Sequence, residues 1–229
     1  MKSCWYLEEN SAFIERNFTI LPSEKFKPPL HPIKGCRPTH TIRTYDENFP
    51  DAFDWRDKGV IGDVINQLYC NACWTISILG VMESMVAIDE MARGKFDGVT
   101  RLSVQELIDC SYRNGCSVGD PRTALEDMME RNMSVVKEEE YPLTLKEEQC
   151  KIPDFNRVGV MVKDFSVQCK LSAEEMMALI YHHGPVVVTV NSSPWLFYTD
   201  GVITWNCPSY FHLSRNTYYS REICENIRQ

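Results

Sequence analysis

Apolar positions are unevenly distributed along this chain. From Cys73 to Met91 there is no proline, and Gly80 is the only glycine. Trp74, Ile76, Ile78, Leu79, Val81, Met82, Met85, Val86, Ile88 and Met91 reach nearly every side of a helical wheel there. A helix that is apolar all round belongs inside a core, so the pattern predicts a buried helix over 73–91. Asn71 is placed to help cap its start, and Gly94 and Gly98 mark the loop beyond it. Ser103…Glu106 and Ser172…Glu175 have capping-box spacing. They predict one short helix ending near Cys110 and another running to about Tyr181, which Gly184-Pro185 stops. Ala124 to Arg131 reads as a further helix. Val186 to Val190 is a short β-branched run and reads as a buried strand. Helices first and strands later make an α+β arrangement.

The flanks have a different texture. Residues 1–48 read as irregular, because Pro22, Pro28, Pro29, Pro32 and Pro38 favour extended chain over a packed core. The change comes at Phe49-Pro50-Asp51-Ala52-Phe53-Asp54-Trp55. Residues 208–229 are polar and tyrosine-rich, with no alternation that would predict a strand. The chain therefore divides into a leading segment (1–48), a main domain (49–207) and an atypical tail (208–229).

Charge and cysteine content narrow the setting. Against 24 Lys and Arg stand 32 Asp and Glu, a net charge of −8, with no basic run. That balance argues against nucleic acid or an anionic membrane surface as partner. No segment has the length of a membrane span. Ten cysteines point to a disulfide-bonded product of the secretory route. The first twenty residues carry no signal-peptide pattern, since Lys2 is followed by Glu8 and Glu9 rather than an apolar run. The N-terminus therefore reads as incomplete. Asn17, Asn132 and Asn191 fit the glycosylation acceptor pattern.

The candidate chemistry lies in Asn66-Gln67-Leu68-Tyr69-Cys70-Asn71-Ala72-Cys73-Trp74. The pattern puts Cys73 in the first turn of the long helix. Unpaired backbone N–H groups and the positive end of the helix dipole favour a thiolate there, the reactive form of cysteine. The Cys73 N–H and the Gln67 amide are placed to share one spot, which makes a candidate oxyanion hole. One rival reading makes Cys73 a buried structural cysteine or a disulfide partner. Another makes Cys70-x-x-Cys73 half of a zinc site. No second Cys/His pair has the spacing that zinc needs, so neither metal nor cofactor is expected.

This stretch resembles the active-site region of papain-family cysteine peptidases, Gln-x-x-x-Cys-Gly-Ser-Cys-Trp, with Asn71-Ala72 in place of Gly-Ser. Asp54-Trp55-Arg56-Asp57-Lys58-Gly59, Leu102-Ser103-Val104-Gln105-Glu106-Leu107-Ile108-Asp109-Cys110, Glu140-Tyr141-Pro142 and Gly184-Pro185-Val186 follow in the family's order. The resemblance implies a two-domain papain-like fold, with a helical left domain and a β-rich right domain that is incomplete here. It implies Cys73 as nucleophile and Gln67 as oxyanion donor, with disulfides Cys70–Cys116 and Cys110–Cys150. The substrate-binding residues it implies are Val118, Gly119, Asp120, Pro121 and Val186. Val118 stands where the family has glycine, which restricts that backbone. The acid at Asp120 would bias the site towards a basic residue. Polypeptide substrates or cystatin-like inhibitors, a monomeric state and a lysosomal or extracellular location are implied as well. Asn17 to Phe26 resembles the latter part of a propeptide of this family.

Two of the family's segments have no counterpart. After Cys207 the sequence lacks Asn/Asp-His-Ala-Val, which supplies the base, and Asn-Ser-Trp-Gly, which orients it. His212 is the only histidine in that region, and Asn216 lacks the Ser-Trp-Gly context. A solvated loop histidine is the simpler reading of His212. His182 and His183 read as helix-end residues, and His31 and His40 lie in the leading segment. Cys169 has no assigned partner, and Cys207 is left to pair with Cys224 or remain a thiol. The sequence reads as shortened at both ends. Little or no turnover is expected of it, and a peptide- or inhibitor-binding homologue or a non-functional fragment are the competing readings.

Overall fold

The computed structural model of the chain describes residues 2–6, 50, 52–111, 115–117, 119–152, 158–167 and 173–191. Its axis is helix α1, Cys73–Ala92. The predicted helix thus forms at the predicted start. Trp74, Ile78 and Leu79 are fully buried, whereas Met85 and Met91 near the C-terminal end reach solvent. The buried serines of α1 are satisfied within the helix: Ser77 Oγ donates to the Trp74 carbonyl at 3.1 Å and Ser84 Oγ to that of Gly80 at 2.9 Å.

Two shorter helices, α2 (Val104–Cys110) and α3 (Pro121–Glu130), pack on α1. Leu102, Leu107, Ile108, Met128 and Val135 join Trp74, Ile78 and Leu79 in one core. Ser103 caps α2, its Oγ accepting from the Glu106 N–H at 2.9 Å. Only this half of the expected capping box forms. The Glu106 carboxylate turns to the Val136 N–H at 2.8 Å, and the Ser103 N–H donates to the Val136 carbonyl at 2.9 Å. The buried acid thus ties α2 to Val136, which lies just past the strand Ser134–Val135, and that is a stronger demand than closing its own helix end. Helix α3 starts three residues before its expected position because Asp120 and Pro121 form a ready N-terminus. It ends in a Schellman turn: Met133 N–H reaches the Met128 carbonyl, Asn132 N–H reaches that of Met129, and Asn132 adopts φ +50°.

The strands form two small antiparallel sheets. Strand β2 (Ser134–Val135) pairs with β3 (Val160–Met161). Helix α4 (Ala173–His183) leads into β4 (Val187–Asn191). Strand β1 (Lys2–Tyr6) pairs with β4 in the register Lys2↔Asn191 to Tyr6↔Val187. This corrects the reading of 1–48 as wholly irregular: Lys2-Ser3-Cys4-Trp5-Tyr6 ends in two strand-forming aromatic residues. It also gives the β4 edge a partner. Segment 53–55 is tied to α4 from far away in sequence. Trp55 Nε1 donates to the Ile180 carbonyl at 2.8 Å, and the Phe53 ring meets Tyr181 edge-on at 4.9 Å.

Candidate active site

The loop before α1 is built from short hydrogen bonds. Leu68 N–H donates to Asn66 Oδ1 at 2.9 Å, Cys70 N–H to the Gln67 carbonyl at 3.0 Å and Ala72 N–H to the Cys70 carbonyl at 2.8 Å. Cys70 is bonded to Cys116, and Cys110 to Cys150. Asn71 does not cap α1, as its position suggested. Its backbone N–H and its Nδ2 both donate to the Cys116 carbonyl, at 3.1 and 3.2 Å. A bridging amide at that place reinforces the disulfide next to it.

Helix α1 therefore begins with Ala72 at its N-cap and no side chain capping it. Thr75 and Ile76 N–H groups turn back to the Ala72 carbonyl at 3.1 and 3.0 Å. Cys73 is half-buried at this end and belongs to neither disulfide. Among the described residues no side chain caps this end and its first turn holds no acid, so the helix dipole can act on the thiol. Gln67 is partly buried, and its Oε1 is enclosed with no hydrogen-bond partner among the described residues. The orphaned atom is the acceptor side of the amide; an oxyanion would be met by its donor side, Nε2.

Gly119 closes the other flank. A β-carbon there would fall 2.4 Å from Cγ of the buried Trp74, so only glycine lets this backbone lie on the indole. Asp120 Oδ1 accepts from Arg122 N–H at 2.8 Å and Thr123 N–H at 3.4 Å, and Pro121 is the first residue of α3. The Asp120 carboxylate is thus engaged as a helix cap. Val186 is partly buried just before β4. Val118, Asn17 and His212 lie outside the described residues. His182 and His183 occupy the exposed last turn of α4. Of the three acceptor-pattern asparagines, Asn132 is exposed at the end of α3, and Asn191 ends β4.

The sequence reading missed a set of buried polar groups that support the loop from behind. Gln105 Oε1 accepts from Thr144 and Leu145 N–H groups, both at 2.9 Å, while its Nε2 donates to Asp109 Oδ1 at 2.8 Å. Asp109 Oδ2 accepts from the Tyr141 hydroxyl at 2.7 Å. Burial and this bond to a carboxylate push the Tyr141 phenol up to about 12. The segment they hold brings Glu147 against Gly115, where its carboxylate accepts from Cys116 N–H at 3.3 Å. Glu83, in the middle of α1, is 4% exposed and accepts from Leu102 N–H at 2.7 Å. Its burial raises the carboxyl to about 7, against the opposing pull of that bond and of Arg101, whose Nε lies 3.5 Å away. One signal was available: Glu83 is the single acid of α1 before its last turn, among mostly apolar residues.

The candidate site thus consists of a thiol at an uncapped helix start, a glutamine on the loop before it and a glycine-walled flank joined to that loop by a disulfide. The profile of the papain family cysteine proteases matches residues 49–218, and the chain belongs to that family. Among curated proteins it is similar to cathepsin O of Mus musculus, 35% identical over 215 residues that cover 88% of this chain and 65% of that protein. Cathepsin O of Homo sapiens is 33% identical over 217 residues, covering 91% of this chain and 66% of that protein. The chain thus spans about two thirds of the length of these relatives. A solved structure from work on antibody cross-reactivity between the mite allergens Blo t 1 and Der p 1 shares the fold. It is 28% identical with a TM-score of 0.53, and the match covers 65% of this chain and 48% of that one. The fold is therefore α+β and papain-like.

Proposed function

We propose that Cys73 is the nucleophile of a peptide-bond hydrolase of the cathepsin O type, with Gln67 as oxyanion donor. The observation that carries this reading is Cys73 at the uncapped start of α1, with Gln67 on the disulfide-anchored loop that leads into it. The thiolate would attack a peptide carbonyl carbon, forming a C–S bond while the oxyanion rests on the Gln67 amide and the Cys73 N–H. The C–N bond then breaks, the amine leaves with a proton from an acid, and water hydrolyses the thioester to regenerate the thiol. Gly119 offers its backbone to an extended peptide, with Pro121 and Val186 as further wall. Residues 1–48 act as a propeptide-like segment and 49–207 as the peptidase domain. The setting is lysosomal or extracellular, with glycosylation at Asn17, Asn132 and Asn191. The partners are polypeptide substrates or cystatin-like inhibitors, and the chain acts as a monomer.

These 229 residues hold no Asn/Asp-His-Ala-Val segment, and turnover by them alone is expected to be slight. An imidazole-paired thiol has a pKa of about 3–4 against about 8.5 for an unpaired one, so at pH 5 roughly one part in several thousand is ionised without the partner. The leaving amine also lacks a proton donor. The retained Gly119 wall supports a second reading, a binder of peptides or inhibitors that does not cleave them.

Labelling by a peptidyl epoxide, mapped by mass spectrometry, separates the two. Selective modification of Cys73 over other cysteines, with a rate that falls when an acid or base titrates, supports the nucleophile. An unreactive Cys73 with intact peptide binding overturns it in favour of the binder.

A further inference from the structure

We propose that the Leu68–Tyr69 turn is a specificity contact, an apolar platform for an uncharged, apolar side chain of the peptide flanking the bond held at Cys73. The inference rests on the reading of Cys73 as the reacting thiol. Leu68 is 47% exposed and Tyr69 83% exposed, and they stand directly between Gln67 and Cys70. The other large apolar side chains from Val60 to Leu79 are buried or half-buried, so two adjacent exposed ones beside the candidate oxyanion donor form a surface with a use. The turn is held at both ends. Cys70 N–H closes it onto the Gln67 carbonyl, the disulfide fixes Cys70, and the two Asn71 donors grip the Cys116 carbonyl. A platform fixed in this way loses little freedom when it meets a ligand.

Leu68 sits at φ +48°, a left-handed backbone that glycine adopts readily and leucine does not. With its side chain half in solvent, leucine at this place contributes little to the interior. Its apolar surface is available to something that arrives from outside, and backbone strain of this kind gathers at ligand clamps. Tyr69 adds a rigid ring with a polar tip, a contact surface of low entropic cost. The chemistry of the visitor follows from the local sequence. From Val64 to Thr75 there is no charged residue, so nothing on this stretch would pair a charged side chain.

The test uses the full 229-residue chain and matched peptidyl epoxides that carry leucine, glycine or aspartate on either side of the reactive group. Modification of Cys73 is followed by mass spectrometry, with iodoacetamide as a control for intrinsic thiol reactivity. Leucine on one flank is expected to speed labelling about tenfold over glycine, the worth of one apolar contact. In Tyr69→Ser, and further in Leu68→Gly with Tyr69→Ser, that advantage should shrink to about twofold or less while the iodoacetamide rate stays the same. Equal rates for all probes on the unaltered chain overturn the platform and leave the nucleophile standing. So does a leucine preference that survives both substitutions. If iodoacetamide modifies Cys73 and no peptidyl probe does, the peptide-processing reading fails and the platform falls with it.

Discussion

Asn71 grips the carbonyl of Cys116 with two donors, its backbone N–H at 3.1 Å and its side-chain Nδ2 at 3.2 Å. The loop that presents the thiol and the loop that walls its flank are therefore joined by hydrogen bonds as well as by Cys70–Cys116. Asn71→Ala removes the side-chain bond alone. The expected cost is about 1 kcal/mol in denaturant unfolding, with the disulfide intact by mass spectrometry.

Gly119→Ala forces a methyl group into the ring of Trp74. Either the indole or the loop must move, and Trp74 is fully buried. Overpacking of this kind costs about 1–3 kcal/mol. Peptide-probe labelling of Cys73 is expected to fall further than iodoacetamide labelling, because the wall moves while the thiol stays.

Asp120→Ala tests whether that carboxylate serves the helix or the substrate. Loss of the α3 cap is expected to cost about 1 kcal/mol, and Asp120→Asn, which caps equally well, should restore it. A preference for basic peptide residues that disappears in Asp120→Asn, at unchanged stability, would show that the carboxylate also faces the ligand.

Glu83 makes stability depend on pH in a definite direction. Its carboxyl is held at about 7 in the fold against 4.5 as the ordinary value, mainly by burial. The folded state thus binds a proton that the unfolded chain releases first. The contribution of this group is fully present below about pH 4.5 and fades as pH rises to about 7. The shift corresponds to about 3 kcal/mol at most. Arg101 opposes it and Glu138 adds to it, so both belong to the same titration. Glu83→Gln should flatten the pH dependence of unfolding between pH 4.5 and 7. An unchanged slope would mean that another group carries it.

Cys110–Cys150 closes a separation of 40 residues, worth about 4 kcal/mol by chain entropy. Cys110→Ser with Cys150→Ser is expected to lower stability by up to that amount, and reductant should then have correspondingly less effect on the melt.

Local patterns carried much of this architecture. The apolar run gave α1 at its true start, and Ser103 gave α2, because both signals act within a few residues. The partners of polar groups were not legible in the same way. Glu106 was read as closing its own helix end and instead serves Val136, 30 residues on. Asn71 was read as a cap and serves Cys116, 45 residues on. Nothing in periodicity or spacing records such long-range choices, since they depend on which backbone groups the fold leaves buried and unpaired. Cys73 and Gln67 stood out in the sequence as candidates because the chemistry they would serve demands a fixed local spacing, whereas the exposure of Leu68 and Tyr69 is visible only in the fold.

The Trp55–Ile180 bond spans 125 residues, and the β1–β4 register joins Lys2 to Asn191. The two disulfides among the described residues, by contrast, close within 46 residues. A chain made from its N-terminus can therefore assemble and oxidise the helical core while the partners of its first residues are still unmade. Until α4 and β4 arrive, Lys2–Tyr6 and Trp55 have to wait, and long-range closures of this sort are the slow ones. On that order the helix that carries the thiol forms before Trp55 and Lys2–Tyr6 meet their partners.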